Sequence, residues 1–184
     1  MDELPFQVER LSLPGVLLIR PKVWSDVRGF SGISYDPGVF KKAGIPLTVA
    51  YEYTSVSKKG VLRGMHFQKA PFGQDKLVRC SHGEIFDVAA DVNSASSTYG
   101  QHVSVHLKAE EQSMLFIPGT YAHGFCVLSD EAVTEYKLGA PRSAENESGA
   151  RWDDPVLNIA WLVQDPVLTE KDGHWPTLSG VSRS

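Results

Sequence analysis

The residues best suited to chemistry gather in Val61-Leu62-Arg63-Gly64-Met65-His66-Phe67-Gln68, with Lys76 shortly after. One hairpin could therefore present an imidazole, a guanidinium and an ammonium, that is, a base, an anion clamp and a fixed cation. Imidazole exchanges protons near neutral pH, with an ordinary pKa of about 6.5. The plain alternative for His66 is a buried, hydrogen-bonded histidine. Strict strand alternation would set Arg63 and His66 on opposite faces. A common site therefore demands a bulge or bend between them, and Gly64 is where the sequence permits one.

Two further segments carry candidates. In Phe116-Ile117-Pro118-Gly119-Thr120-Tyr121-Ala122-His123-Gly124-Phe125 a turn returns an apolar strand and sets His123 at its start, either in a site or as a turn-stabilising group. In Ala132-Val133-Thr134-Glu135-Tyr136-Lys137, alternation puts Tyr136 on the face of Ala132 and Thr134. Such small neighbours leave room around a phenol, although a core or rim aromatic fits the same pattern. The remaining histidines, His82, His102, His106 and His174, read as exposed or locally hydrogen-bonded. His-x-His spacing is absent, and His102 and His106 would stand about 13 Å apart on a strand, so no metal site is expected.

The elements that must position these side chains are strands. Short β-branched and aromatic runs recur between turn residues: 16–19, 47–56, 61–68, 76–80, 84–92, 102–107, 114–117, 123–128 and 132–137. This spacing predicts an all-β sandwich or barrel. In His102-Val103-Ser104-Val105-His106-Leu107 the valines and Leu107 face one side and the histidines the other. Helical signal is confined to Pro37–Lys42, stopped by Gly44 and Pro46, and to a start at Thr169-Glu170-Lys171-Asp172. The tail from Arg151 reads as irregular, with Trp152, Trp161 and Trp175 tying it down.

At 184 residues the chain is read as a single domain, 1–184, large enough to bury its own core. Its formal charge of −4, with no basic block longer than a lysine pair, gives no footprint for nucleic acid. No apolar stretch approaches the roughly 20 residues of a membrane helix. Cys80 and Cys126 lie in apolar runs and read as buried free thiols. With an acidic N-terminus unlike a signal peptide, this places the protein in the cytoplasm.

Taken in order, Arg63 to Gln68, Lys76 to Cys80, Gly83 to Val88, Pro118 to Phe125, Glu135-Tyr136-Lys137 and Trp152-Asp153-Asp154-Pro155 resemble the dTDP-4-dehydrorhamnose 3,5-epimerases, over about residues 16–172. The resemblance implies a cupin-type jelly-roll barrel with short peripheral helices. It further implies a homodimer without metal or other cofactor, acting on a nucleotide-diphospho 4-keto-6-deoxy hexose in deoxysugar or surface-polysaccharide synthesis. Matched position by position, His66 is the catalytic base, Asp172 its carboxylate partner, Tyr136 the acid on the opposite face and Lys76 the cation near the keto oxygen. Arg28, Arg63, Gln68 and His123 match positions lining the diphosphate and sugar end.

The chemistry calls for such groups. A ketone acidifies the neighbouring carbon, and the enolate is tolerable when a fixed donor or charge meets its oxygen. A phenol keeps its proton until an enolate forms beside it.

The sequence departs from the family at the nucleobase end. Ile33 replaces an acidic residue, Tyr51 and Tyr53 replace a glutamine and an asparagine, and Leu138-Gly139-Ala140-Pro141 lacks an aromatic pair. This points to a nucleotide other than dTDP, or an unusual sugar, stacked on Tyr51 or Tyr53. Three alternatives remain: a cupin that binds a nucleotide sugar without turnover, a ketoisomerase on the same substrate class, and a metal-dependent oxygenase, the last opposed by the missing His-x-His.

Overall fold

In the computed structural model, which describes residues 4–180, two antiparallel sheets face one another. Their strands are β1 (Phe6–Arg10), β2 (Leu17–Pro21), β3 (Val23–Asp26), β4 (Gly29–Gly32), β5 (Tyr51–Lys58), β6 (Leu62–Gln68), β7 (Lys76–His82), β8 (Glu84–Ala90), β9 (His102–Lys108), β10 (Met114–Ile117), β11 (Ala122–Val127), β12 (Glu131–Leu138) and β13 (Glu147–Gly149). One sheet runs β1-β2-β10-β7-β12-β5 and the other β13-β6-β11-β8-β9. β3 and β4 form a separate hairpin.

Period-2 burial explains the layering. Between the sheets lie Leu18, Val78, Ile85, Val103, Leu107, Leu115, Phe125 and Val127. The outer face of the six-stranded sheet is covered by α1 (Pro37–Lys42), which inserts Phe40 against Phe6, Ile19 and Met114. Asp36 caps that helix by accepting from the Val39 amide. The outer face of the five-stranded sheet receives the irregular tail. There Leu157, Leu178, Trp152 and Trp161 pack on Leu62, Met65, Phe86 and Cys126. Both cysteines are buried and free, as expected, and burial raises each thiol to about 11.

Four strands escaped the sequence reading. β1 and the β3–β4 hairpin are largely exposed and so lack an apolar rhythm, and β13 has three residues. The run expected from residue 47 begins pairing at Tyr51, because Ile45 and Leu47 instead join the core beneath α1.

The bend foreseen at Gly64 is present. β6 pairs with β11 as His66↔His123 and Arg63↔Phe125, so Gly64 and Met65 together oppose Gly124. Met65 points into the outer core, while Arg63 and His66 both reach the space between the sheets. Gly64 has φ +154°, and a Cβ there would lie 2.6 Å from the Gly124 Cα.

Candidate active site

A cavity of about 390 Å³ opens at one end of the sandwich, between the sheets. From the five-stranded sheet it receives Arg63, His66 and Gln68 of β6 and His123 of β11; from the six-stranded sheet, Lys76 of β7, Tyr136 of β12, and Tyr51 and Tyr53 of β5. The tail closes it with Asp172 from α2 (Glu170–Gly173), a short helix capped by Thr169, whose hydroxyl accepts the Asp172 amide at 3.2 Å. A parallel bridge between Val167 and Val61 aligns the tail with β6 before that helix begins.

His66 Nε2 and Asp172 Oδ1 are 2.6 Å apart. Burial alone would raise the Asp172 carboxyl. Hydrogen bonds from His66, Trp175 and the Gly64 amide outweigh it and hold the group below its ordinary value. Lys76 Nζ donates to the His66 carbonyl at 3.1 Å, and burial lowers the ammonium to about 8 against the pull of Asp87 and Glu147. It remains mostly charged at pH 7 while sitting beside His66.

Tyr136 faces His66 from the opposite sheet. Burial, assisted by the Asp87 charge, raises its phenol well above the ordinary value, with Arg63 opposing. Ala132 and Thr134 share its face, as alternation predicted, and both are fully buried. Tyr53 is its cross-strand neighbour, with ring centroids 5.8 Å apart, and His123 meets it edge-on, also at 5.8 Å.

His123 is a buried partner rather than a turn residue. Its Nε2 lies 2.7 Å from Oδ1 of Asp87, itself 0% exposed. Burial lowers the His123 imidazole, the nearby Asp87 acting in the other direction. Arg63 is braced by Ser57, Nε to Oγ 3.0 Å. Gln68 lines the cavity but spends its amide on structure, donating to the Phe72 carbonyl at 2.7 Å and accepting the Ser143 amide at 2.6 Å. Tyr51 accepts from Gln74 at 3.3 Å.

Arg28 is the expected residue that does not line this chain's cavity. It sits in the turn between β3 and β4, 85% exposed and paired with Asp26, on a hairpin that joins neither large sheet. Arg142, Glu147 and Lys171 line the mouth without having been foreseen. Glu147 bridges the two cations, at 3.0 Å from Arg142 and 3.1 Å from Lys171. Nothing in the sequence pattern around them marks them. Asp87 did carry a signal, being a lone carboxylate in the apolar run Ile85-Phe86-Asp87-Val88-Ala89-Ala90.

Among the described residues no group of three or more His, Cys, Asp or Glu side chains could hold a metal ion. No helix among them is long and apolar enough to cross a membrane. Arg63, Lys76, Arg142 and Lys171 outnumber Glu147 and Asp172 around the cavity, which suits an anionic ligand.

The family model for dTDP-4-dehydrorhamnose 3,5-epimerase matches residues 10–180. The chain belongs to that family. Among its relatives, the Shigella flexneri dTDP-4-dehydrorhamnose 3,5-epimerase is 47% identical over 90% of this chain and 92% of that protein. The crystal structure of a Legionella pneumophila dTDP-6-deoxy-D-glucose-3,5-epimerase in complex with dTDP-4-keto-L-rhamnose superimposes with a TM-score of 0.91, at 35% identity over 96% of this chain and 95% of that one. A 3'-monoepimerase of Streptomyces bikiniensis in complex with dTDP-quinovose gives 0.88, at 32% identity over 93% and 87%. The epimerase family has the cupin-type jelly roll, and the two facing sheets of this chain have that fold. Like its relatives, the chain is a nucleotide-sugar epimerase by family.

Proposed function

We propose that this protein inverts C3, C5 or both of a dTDP-linked 4-keto-6-deoxy hexose. The observation that carries the mechanism is the placement of His66, held by Asp172 of the tail, and Tyr136 on opposing sheets of one cavity, with Lys76 beside the base. With Nε2 engaged by Asp172, Nδ1 of His66 takes the proton from the carbon next to the ketone. The electron pair left behind moves onto the C4 oxygen, where the Lys76 ammonium meets it. Tyr136 delivers its proton to the other face, and the carbonyl re-forms with the carbon inverted. His66 then loses its proton to solvent and Tyr136 regains one.

The cations Arg63, Arg142 and Lys171 suit a diphosphate. The relatives' dTDP-linked sugars support dTDP as the nucleotide, whereas the substitutions at Tyr51 and Tyr53 pull the other way. Tyr53 stands against Tyr136, which gives it influence over the sugar as well as the base. Competition among dTDP, UDP, CDP and GDP tests the assignment. Tightest binding of dTDP supports it, and tightest binding of another nucleotide overturns it while leaving the proton chemistry standing.

The active form in this reading is a cytosolic homodimer. Trp24, Val27 and Phe30 on the β3–β4 hairpin are 48%, 104% and 52% exposed, an apolar arm that a second copy would cover. Docked in this way, the arm would carry Arg28 to the partner's cavity. Two buried free thiols fit a reducing compartment.

A further inference from the structure

Trp175 adjoins the His66–Asp172 pair without lining the cavity, and the proton transfer described above makes no use of it. Its indole Nε1–H donates to Asp172 Oδ1 at 3.3 Å, the same oxygen that His66 Nε2 meets at 2.6 Å. The indole stands edge-on to the imidazole, with centroids 6.1 Å apart and planes at 69°. Its seat is shaped for it. A Cβ on Gly149 would fall 2.5 Å from indole Cδ2 and Cε2, so the ring rests on β13 where no side chain intervenes. Lys171 Nζ covers the ring at 5.0 Å from the centroid. The backbone beyond it is tied down as well, by the Arg151 amide donating to the Pro176 carbonyl at 3.0 Å and the Leu178 amide donating to Asp154 Oδ2 at 2.6 Å.

We propose that Trp175 is a positioning residue for the epimerisation, its indole N–H fixing the Asp172 carboxylate and thereby the orientation and proton affinity of His66. This rests on the reading of His66 as the base. A carboxylate held by one donor can swivel about its Cβ–Cγ bond. Convergent donors from His66 and Trp175, both on Oδ1, remove that freedom. Each donor also draws charge from the oxygen. Without the indole N–H, more negative charge faces the imidazole, the imidazolium is stabilised, and the base is lost to protonation at a higher pH.

The groups around His66 are Asp172 and Lys171 from α2, Lys76 from β7, His123 from β11 with Asp87 behind it, Glu147 from β13, Tyr136 from β12 and Arg63 on its own strand. Trp175→Phe leaves each of these side chains in the sequence and keeps a flat ring over Gly149, while it deletes the indole donor and trims the ring face beneath Lys171 Nζ.

In that variant the acid limb of the kcat/KM profile is expected to move to higher pH by about half a unit. The plateau kcat should fall roughly 3- to 10-fold at unchanged KM. The His66 ring signals, followed by NMR in the substrate-free protein, should shift their midpoint in the same direction. A folded variant whose acid limb and ring titration coincide with the parent's overturns the proposal, since lost packing alone would lower the melting temperature without moving either. Should Trp175→Phe fail to fold, the indole ¹⁵N–¹H signal of Trp175 in the parent decides. Slow exchange and a response to the His66 titration support the role, and solvent-rate exchange with no pH response overturns it. The ring titration needs no turnover, so it judges Trp175 separately from the base assignment, which falls only if His66→Ala retains isotope exchange into substrate.

Discussion

His66 Nε2 and Asp172 Oδ1 meet at 2.6 Å although the two residues lie 106 positions apart in sequence. Three local features bring them together. The bulge at Gly64 turns His66 inward, the Val61–Val167 bridge lays the tail beside β6, and the Thr169 cap starts the turn that carries Asp172. The His66–Asp172 pair is thus assembled by the strand-like contact between Val61 and Val167.

Asp172→Asn should fold and lose about 10²–10⁴-fold in kcat/KM, because an amide cannot hold the imidazolium that forms in the transition state. The carboxyl's folded-state pKa lies below its ordinary 3.8. Its stabilising effect is therefore present above that value and is lost as pH falls through the lower folded one. Acid unfolding monitored by circular dichroism should accordingly begin at higher pH in the variant.

Tyr136→Phe separates proton removal from inversion. With the acid missing and the base intact, deuterium from heavy water should enter the substrate with retention, the proton returning from the His66 side. Mass spectrometry and NMR of recovered sugar check this, and inverted product at the parent rate would remove Tyr136 from its role.

Lys76 sets an alkaline boundary. Burial lowers its ammonium to about 8, so the group is charged below that pH and neutral above it. The kcat/KM profile should fall as pH rises through about 8. Lys76→Gln should lower the plateau about 10²–10³-fold and abolish that limb.

Phe30→Asp places a charge on the exposed arm between the sheets and the second copy proposed to cover it. Sedimentation should show the parent as two chains and the variant as one, with substrate KM raised because Arg28 no longer reaches the partner's cavity. A monomeric parent would contradict the homodimer.

Much of this architecture was legible in the residues. Alternation at 102–107 and 132–137 gave the faces of β9 and β12, the mismatch between Arg63 and His66 located the bulge, and resemblance supplied Asp172, which no spacing rule links to His66. What stayed hidden depends on tertiary docking. Glu147, Arg142 and Lys171 join the cavity only after β13 pairs with β6 and the tail folds back. Arg28 illustrates the converse, since sequence register alone does not say which way an isolated hairpin projects.

The most direct test of the account is incubation of parent and His66→Ala proteins with a 4-keto-6-deoxy nucleotide sugar in heavy water, with label located by NMR. Deuterium is expected at C3, C5 or both, with inversion, in the parent and none above background in the variant. Exchange at the parent rate by His66→Ala would contradict it.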